Sequence, residues 1–484
     1  MQNALRDQRP CLPEGVELHH YQKEAIENWV SFGYRGIFDM ATGTGKTFTG
    51  LGAAVRLFED KKRLAAVIVC PYQHLVEQWA EDIQRFQIKP VIGYGASAQR
   101  GWRERLKNQI LDFHLGMRKV FCFVTTNATF ATAFVQEQLK ILNGELLLLV
   151  DEAHNFGSEQ LSQMLNEEVP YRLALSATLE RFRDPIGTQL LYGYFGKKCI
   201  MYGLAQAIRE RKLTPYYYYP KPVCLTGEEL EGYRELSERI GKQYRPAGSG
   251  AMEVTELGKR LLIERSRIVA GAAGKMKLLK ELMESYKEDS HILVYCGATR
   301  EYRLWEDERD LQGERQIVAV SKMLGNELGM KVAHFTSGES REERRRIIEG
   351  FEKADPYQAI IAIKCLDEGV NIPGIKTAFL LASSANPKEY IQRRGRVLRK
   401  APGKHFAVIY DFVTLPGALE RHRNRQDSSQ SELALVKKEI LRIREFGELS
   451  ENPSEADRLV KRMVSAYGLD QMGGGPDLDE RTFG

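Results

Sequence analysis

The chain has 484 residues, with 70 lysines and arginines against 65 aspartates and glutamates, a formal charge of +5, and 43% hydrophobic residues. That length is too great for one core and suggests roughly two to four domains, and so mild a positive charge permits a nucleic-acid groove without demanding one. With no run of about 18 apolar residues, no leader pattern, and seven scattered cysteines without zinc-knuckle spacing, a membrane span, a secreted disulfide framework and structural zinc are all unexpected. A soluble, cytoplasmic protein is expected, with Cys70, Cys122, Cys296 and Cys365 read as buried thiols in or beside apolar runs.

Residues 1–17 form a polar lead-in. An amphipathic helix follows, running from Leu18 through Ile26 to Val30, and it contains Gln22. A glutamine amide offers a donor and an acceptor together, which suits the edge of adenine, although a surface role is the plainer reading of composition alone. The apolar segment Gly36-Ile37-Phe38 then enters Asp39-Met40-Ala41-Thr42-Gly43-Thr44-Gly45-Lys46-Thr47, and small helical residues Gly50 to Val55 come next. Strand, glycine loop and helix in that order can wrap backbone N–H groups around a phosphate at the positive end of the helix. Lys46 would reach the β- and γ-phosphates, and the Thr47 hydroxyl would ligate Mg²⁺. Met40 stands where the strict eight-residue form begins with glycine.

Leu64 to Cys70 reads as a buried parallel strand that breaks at Pro71, before a helix carrying Leu75, Val76, Gln78, Trp79 and Ile83. Another strand, Val120 to Val124, ends in Thr125-Thr126-Asn127, short polar side chains equally suited to loop capping and to phosphate contacts. Leu146 to Val150 runs straight into Asp151-Glu152-Ala153-His154. An acid at that strand tip can hold Mg²⁺, and its neighbour can polarise water; capping of the next helix is the bland alternative, made remote by the upstream glycine loop. Tyr171 to Leu175 then leads into Ser176-Ala177-Thr178. These recurring strand–loop–helix units predict an α/β architecture, a parallel sheet with helices on both faces, in residues 1–198.

Residues 199–274 read as a linker and helical insert. Tyr216 to Tyr219, followed by Pro220 and Pro222, is predicted as an exposed linker strand, and residues 247–251 as a flexible break. A second α/β unit is predicted over 275–415, with strands at 292–296, 332–335, 359–363, 378–382 and 405–413. It carries Leu366-Asp367-Glu368-Gly369 and the basic helix Gln392 to Arg399, in which Arg396 and Arg399 share a face. Residues 416–484 are predicted as a helical extension with the stripe Leu433, Val436, Ile440, Ile443 and Phe446, ending in a flexible tail. Those helices could dock a protein partner or simply pack on the second unit.

In this order the motifs resemble those of the superfamily 2 helicase and translocase ATPases. Gln22 lies at that family's adenine-contacting glutamine, Gly43 to Thr47 match motif I, Asp151 to His154 motif II, and Ser176-Ala177-Thr178 motif III. Leu366 to Gly369 look like motif V, and Gln392 to Arg399 follow the Q-x-x-G-R-x-x-R form of motif VI. The resemblance implies two tandem RecA-like domains that bind ATP and Mg²⁺. Thr42 to Thr47, Asp151 and Gly369 would contact the nucleotide, Glu152 would activate water, and Gln392, Arg396 and Arg399 would complete the site in trans. His154, Ser176 and Thr178 would couple hydrolysis to movement. Pro71, Gln78, Thr125, Thr126, Gly297 and Thr299, in motifs Ia, Ib and IV, would line a nucleic-acid track. Ile363-Lys364 replaces the Thr-Asp pair usual in DEAD-box RNA helicases, and Asp39-Met40 with the Asp-Glu-Gly wording look closest to the DNA-acting branch of excision-repair helicases and restriction-type translocase subunits. DNA is therefore expected over RNA. The alternatives are an RNA helicase, or an ATP-switched subunit of a defence or restriction assembly whose partner supplies the nuclease.

Overall fold

The computed structural model describes residues 9–95, 100–142, 144–181, 184–246, 252–297, 316–336, 338–363, 372, 374–382, 387–420 and 428–469. Gly369 and the rest of motif V, Thr299, Cys365, the 247–251 break and the tail lie outside them. The chain divides into two compact units, residues 1–213 and 214–484.

The first unit is built on seven strands, β1 (Arg35–Met40), β2 (Leu64–Cys70), β3 (Val91–Gly93), β4 (Val120–Thr126), β5 (Leu146–Asp151), β6 (Tyr171–Ser176) and β7 (Lys198–Tyr202). They pair in parallel in the order β3-β4-β2-β5-β6-β1-β7. Every residue of β2, β4 and β5 is buried, as expected of parallel strands covered on both faces. The helix Lys46–Lys61 approaches the sheet closely because it presents glycine: a Cβ at Gly50 would meet Leu175 and Leu149 side chains at 3.1 and 3.2 Å. Register sets the site. Asp39 of β1 lies opposite Ser176 of β6, and Leu175 opposite Asp151 of β5, so three neighbouring strands deliver the glycine loop, the acid pair and Ser-Ala-Thr to one end of the sheet.

The second unit contains β8 (Tyr216–Cys224), a small antiparallel hairpin of β9 (Tyr244–Pro246) and β10 (Met252–Val254), then β11 (Ile292–Cys296), β12 (Val332–Phe335), β13 (Ala359–Ile363), β14 (Thr377–Leu380) and β15 (Ala407–Leu415). Its main sheet is parallel, ordered β12-β13-β11-β14-β15-β8.

Two expectations are corrected here. The first unit extends past residue 198, because β7 pairs with β1 and completes its sheet. The tyrosine run is the edge strand β8 rather than an exposed linker: Tyr216 and Tyr218 are fully buried, and the prolines are tolerated because the strand is an edge. The following helices, Gly227–Gly241 and Glu256–Ala270, bury Leu230, Tyr233, Leu236, Ile240, Leu261 and Ile268 in the second unit's core. The C-terminal helices also pack here. Val436, Ile440, Ile443 and Phe446 of Gln430–Gly447 are buried and Leu433 half-buried, so the apolar stripe is consumed within the unit. Beyond it Glu451 N donates to Tyr216 O at 2.8 Å, and the Asn452 amide bonds both backbone groups of Tyr218, covering an edge open to mispairing.

Candidate active site

At the end of β1 the chain turns through Gly43 and Gly45, both at φ +83°, a left-handed conformation that favours glycine. Gly45, which is exposed, precedes the helix Lys46–Lys61, whose N-terminus has no side-chain cap, so no capping side chain takes up its first amides. Lys46 Nζ donates to Met40 O at 3.2 Å, and Thr44 Oγ1 to Ala41 O at 2.7 Å. The loop is braced from the helix His20–Ser31. Tyr21 OH donates to Thr44 O at 2.8 Å, and Gln22 Nε2 donates to Gly45 O at 3.3 Å and Thr49 Oγ1 at 3.0 Å. Gln22 Oε1 accepts from His19 N at 2.9 Å. The Gln22 amide is thus engaged by the loop and by the first turn of the helix after it, and what the structure gives this buried side chain is a bracing role.

Asp151 closes β5 at the neighbouring position. Its Oδ2 accepts from Trp79 Nε1 at 2.9 Å and its Oδ1 from Glu152 N at 3.0 Å. Burial, and then the Glu152 charge, push its carboxyl up to about 6, while the Trp79 bond and Lys46 pull the other way. Because the folded pKa is raised, this group favours folding below its ordinary range, and that contribution is lost as pH rises from about 4 to about 6. Above that window the buried carboxylate carries its charge beside Glu152. Trp79→Phe removes a bond that favours the charged form. The acid limb of the ATPase pH profile is therefore expected to shift alkaline, by about half a unit or more, and excess Mg²⁺ should move it back.

Glu152 stands at φ 48°, ψ 50°, and its Oε2 lies 3.4 Å from His154 Nδ1. His154 O in turn accepts from Arg181, whose Nε donates to Asp184 Oδ2 at 2.6 Å. Ser176 is fully buried and its Oγ accepts from Thr178 N at 3.2 Å, while Thr178 Oγ1 has no hydrogen-bond partner among the described residues.

In the second unit the helix Pro387–Val397 buries Gln392 and Arg396, and Arg399 follows in the turn beyond it, half-buried. Arg393 reaches Ala382 O at 3.4 Å and lies over the Tyr295 ring at 4.2 Å, tying the helix to the ends of β11 and β14. Lys404 Nζ donates to Val397 O and to Arg399 O, the latter at 2.8 Å, which caps the helix C-terminus. Burial and Arg399 push this lysine down to about 7.

Residues 15–181 match the family described as "Type III restriction enzyme, res subunit", and residues 274–401 match "Helicase conserved C-terminal domain". The chain belongs to the superfamily 2 helicase/translocase ATPases. Relatives include the "DNA 3'-5' translocase XPB2" of Sulfurisphaera tokodaii, 24% identical over 84% of this chain and 83% of the relative. The "TFIIH basal transcription factor complex helicase/translocase XPB subunit" of Trypanosoma brucei brucei is 24% identical over 84% of this chain but only 40% of its own length. Among solved structures, "ATP-dependent Type ISP restriction-modification enzyme LlaBIII bound to DNA" superposes with a TM-score of 0.58 at 16% identity; the match covers 94% of this chain and a third, 33%, of that one. At that identity the likeness supports the fold, two RecA-like domains.

A superfamily 2 ATPase needs a divalent cation, and the residues present fit Mg²⁺. Each Asp151 oxygen receives one protein donor and keeps lone-pair capacity, and Thr47 sits half-buried in the helix's first turn. Among the described residues no group of three His, Cys, Asp or Glu could hold a metal. No described helix is long and apolar enough to cross a membrane.

On the expected nucleic-acid side the outcome is mixed. Pro71 is half-buried and Gln78 exposed, at the start of the helix after β2 and on it. Thr125 is fully buried with its hydroxyl donating to Gly93 O at 2.6 Å. Thr126 caps the short helix Asn127–Phe130, and Gly297 is buried with its N–H donating to Gln316 Oε1 at 2.8 Å. Trp79, Tyr21, Arg181 and Lys198 were not legible as site residues. Lys198, on β7, pairs with Asp39 at 2.6 Å and Glu180 at 2.8 Å, linking the strand before the glycine loop to the segment after Ser-Ala-Thr.

Proposed function

We propose that this enzyme is an ATP-driven motor on DNA that translocates along it or unwinds it. The observation that carries this reading is the convergence of the braced glycine loop with the Asp151–Glu152 pair on neighbouring strand ends of one sheet, in a chain that also carries the arginine helix of motif VI. In the proposed cycle Lys46 and the amides of the loop would hold the β- and γ-phosphates, and Thr47 and Asp151 would hold Mg²⁺, which when bound would neutralise phosphate charge. Glu152 would accept the proton of the attacking water as its oxygen bonds the γ-phosphorus, the bond to the β,γ-bridging oxygen breaks and ADP leaves, and Arg396 and Arg399 would meet the charge developing on the γ-phosphate. His154, Ser176 and Thr178 pass the nucleotide state to the track, a role favoured by the contact of His154 with Glu152. DNA is preferred to RNA because a relative matched over 83% of its own length is named a DNA translocase.

The deciding experiment measures hydrolysis with no polynucleotide, single-stranded DNA, duplex DNA and RNA. DNA is expected to raise kcat by about tenfold or more, with an effect that weakens steeply between low and physiological salt, since phosphate contacts dominate such binding. Stimulation by RNA alone would overturn the choice of track. Hydrolysis indifferent to every polynucleotide would overturn the motor.

A further inference from the structure

The arginines of motif VI divide by face. At about 100° per residue, Gln392 and Arg396 fall on one side of the helix Pro387–Val397, whereas Arg394 points the opposite way; Arg399 follows in the turn just past the helix end. Arg394 is only 1% exposed. Its Nη1 donates to Glu445 O at 2.5 Å and Tyr216 OH at 3.3 Å, and its Nη2 donates to Glu445 Oε1 at 2.7 Å. The guanidinium lies 4.8 Å from the Phe446 ring centroid, and Tyr216 OH donates to Phe446 O at 2.5 Å. Glu445 and Phe446 belong to the C-terminal helix Gln430–Gly447, which is itself fixed to β15 by the Arg442–Asp411 ion pair. A continuous line of packed and charge-assisted contacts thus runs from the sheet, through the C-terminal helix, to the back of the arginine helix.

We propose that Glu445, outside every helicase motif, is a positioning residue for ATP hydrolysis: with Tyr216 it clamps Arg394 and so fixes the setting of the helix that carries Arg396 and leads into Arg399. This rests on the reading that Arg396 and Arg399 serve the γ-phosphate. A guanidinium held from behind by a carboxylate, a carbonyl and a phenol has one rotational setting. Without the carboxylate the guanidinium loses its charge-assisted partner and the helix is held less firmly, and a displacement of about 1 Å at a reacting group can cost on the order of a hundredfold in rate.

The test is steady-state ATPase in saturating DNA on the full chain, beside binding of a fluorescent ATP analogue to count competent sites. Glu445 is 37% exposed at its side chain, so Glu445→Ala is expected to fold. Its kcat per competent site should fall about tenfold with KM for ATP within about twofold, and Glu445→Gln, which still accepts from Nη2, should recover most of the loss. Tyr216→Phe, nearly isosteric, should lower kcat by about threefold with the same unchanged KM. If both Glu445→Ala and Tyr216→Phe keep kcat per site within twofold, or if their losses vanish once competent sites are counted, the clamp is overturned. Arg396→Ala separates the two layers. If it hydrolyses normally, the reading beneath fails; if it is inactive while the clamp variants are normal, only the clamp fails.

Discussion

Glu152→Gln is expected to lower kcat by about a hundredfold or more while leaving affinity for an ATP analogue within about threefold. Glutamine keeps the volume and one carbonyl oxygen of the glutamate but cannot take a proton from water. The backbone at this position argues that the side chain is deliberately aimed. Glu152 sits at φ 48°, a left-handed setting that costs a non-glycine residue on the order of 1 kcal/mol. It is held there by its own N–H on Asp151 Oδ1 and by Asn155, whose N and Nδ2 both donate to Glu152 O at 3.1 Å. The substitution should also relieve Asp151, because the Glu152 charge raises its pKa. Cation binding is therefore expected to be retained or improved in the variant, and the loss is confined to chemistry. Steady-state hydrolysis with analogue binding on the same preparation checks both halves; normal kcat would remove Glu152 as the base.

The strand ends of the first unit could be read from sequence because their chemistry is local. A glycine loop between strand and helix, or two acids at the tip of a Leu-Leu-Leu-Leu-Val run, carries its meaning in adjacent residues. What escaped is what distant residues do to these groups. Trp79 is one apolar member of a helical stripe in sequence, and only the parallel pairing of β2 with β5 brings its indole to Asp151. Gln22 was legible by position, yet its amide is spent on the loop and the first turn of the helix after it, a result of how the first helix packs on the second. The four-tyrosine run was misjudged because its prolines suggested exposure, whereas period-two alternation buries Tyr216 and Tyr218. The assignment of Arg394 as an anchor at the back of the motif VI helix depends on Glu445, which lies far along the chain and in no recognisable motif.

The second unit's stability should hinge on one buried cluster. Arg442 bonds Asp411 through Nε at 2.9 Å and Nη2 at 3.2 Å, and Glu439 Oε1 through Nη1 at 3.1 Å, while Tyr218 OH donates to Asp411 Oδ2 at 2.9 Å. Lys275, with Nζ on Leu381 O at 2.6 Å and Val269 O at 2.8 Å, is the other cation acting on these carboxylates. Arg442→Ala strands two buried carboxylates against one cation, and removing one partner of such a pair costs about 3–5 kcal/mol. In a domain of this size that corresponds to a fall of about 10 °C in the second unit's thermal transition. The sign of the pH dependence follows from Glu439, whose carboxyl burial already pushes up and Arg442 pulls down. Without Arg442 its folded pKa rises further, so its contribution is favourable at low pH and lost as pH rises through the new value. The deficit of the variant should therefore be larger at pH 8 than at pH 5, by calorimetry at both. Replacing the pair together, Arg442→Met with Asp411→Leu, leaves Glu439 facing Lys275 and should recover part of the stability, because well-packed apolar groups often match a buried ion pair. It should not restore hydrolysis fully if the C-terminal helix needs that pair to hold Glu445 against Arg394.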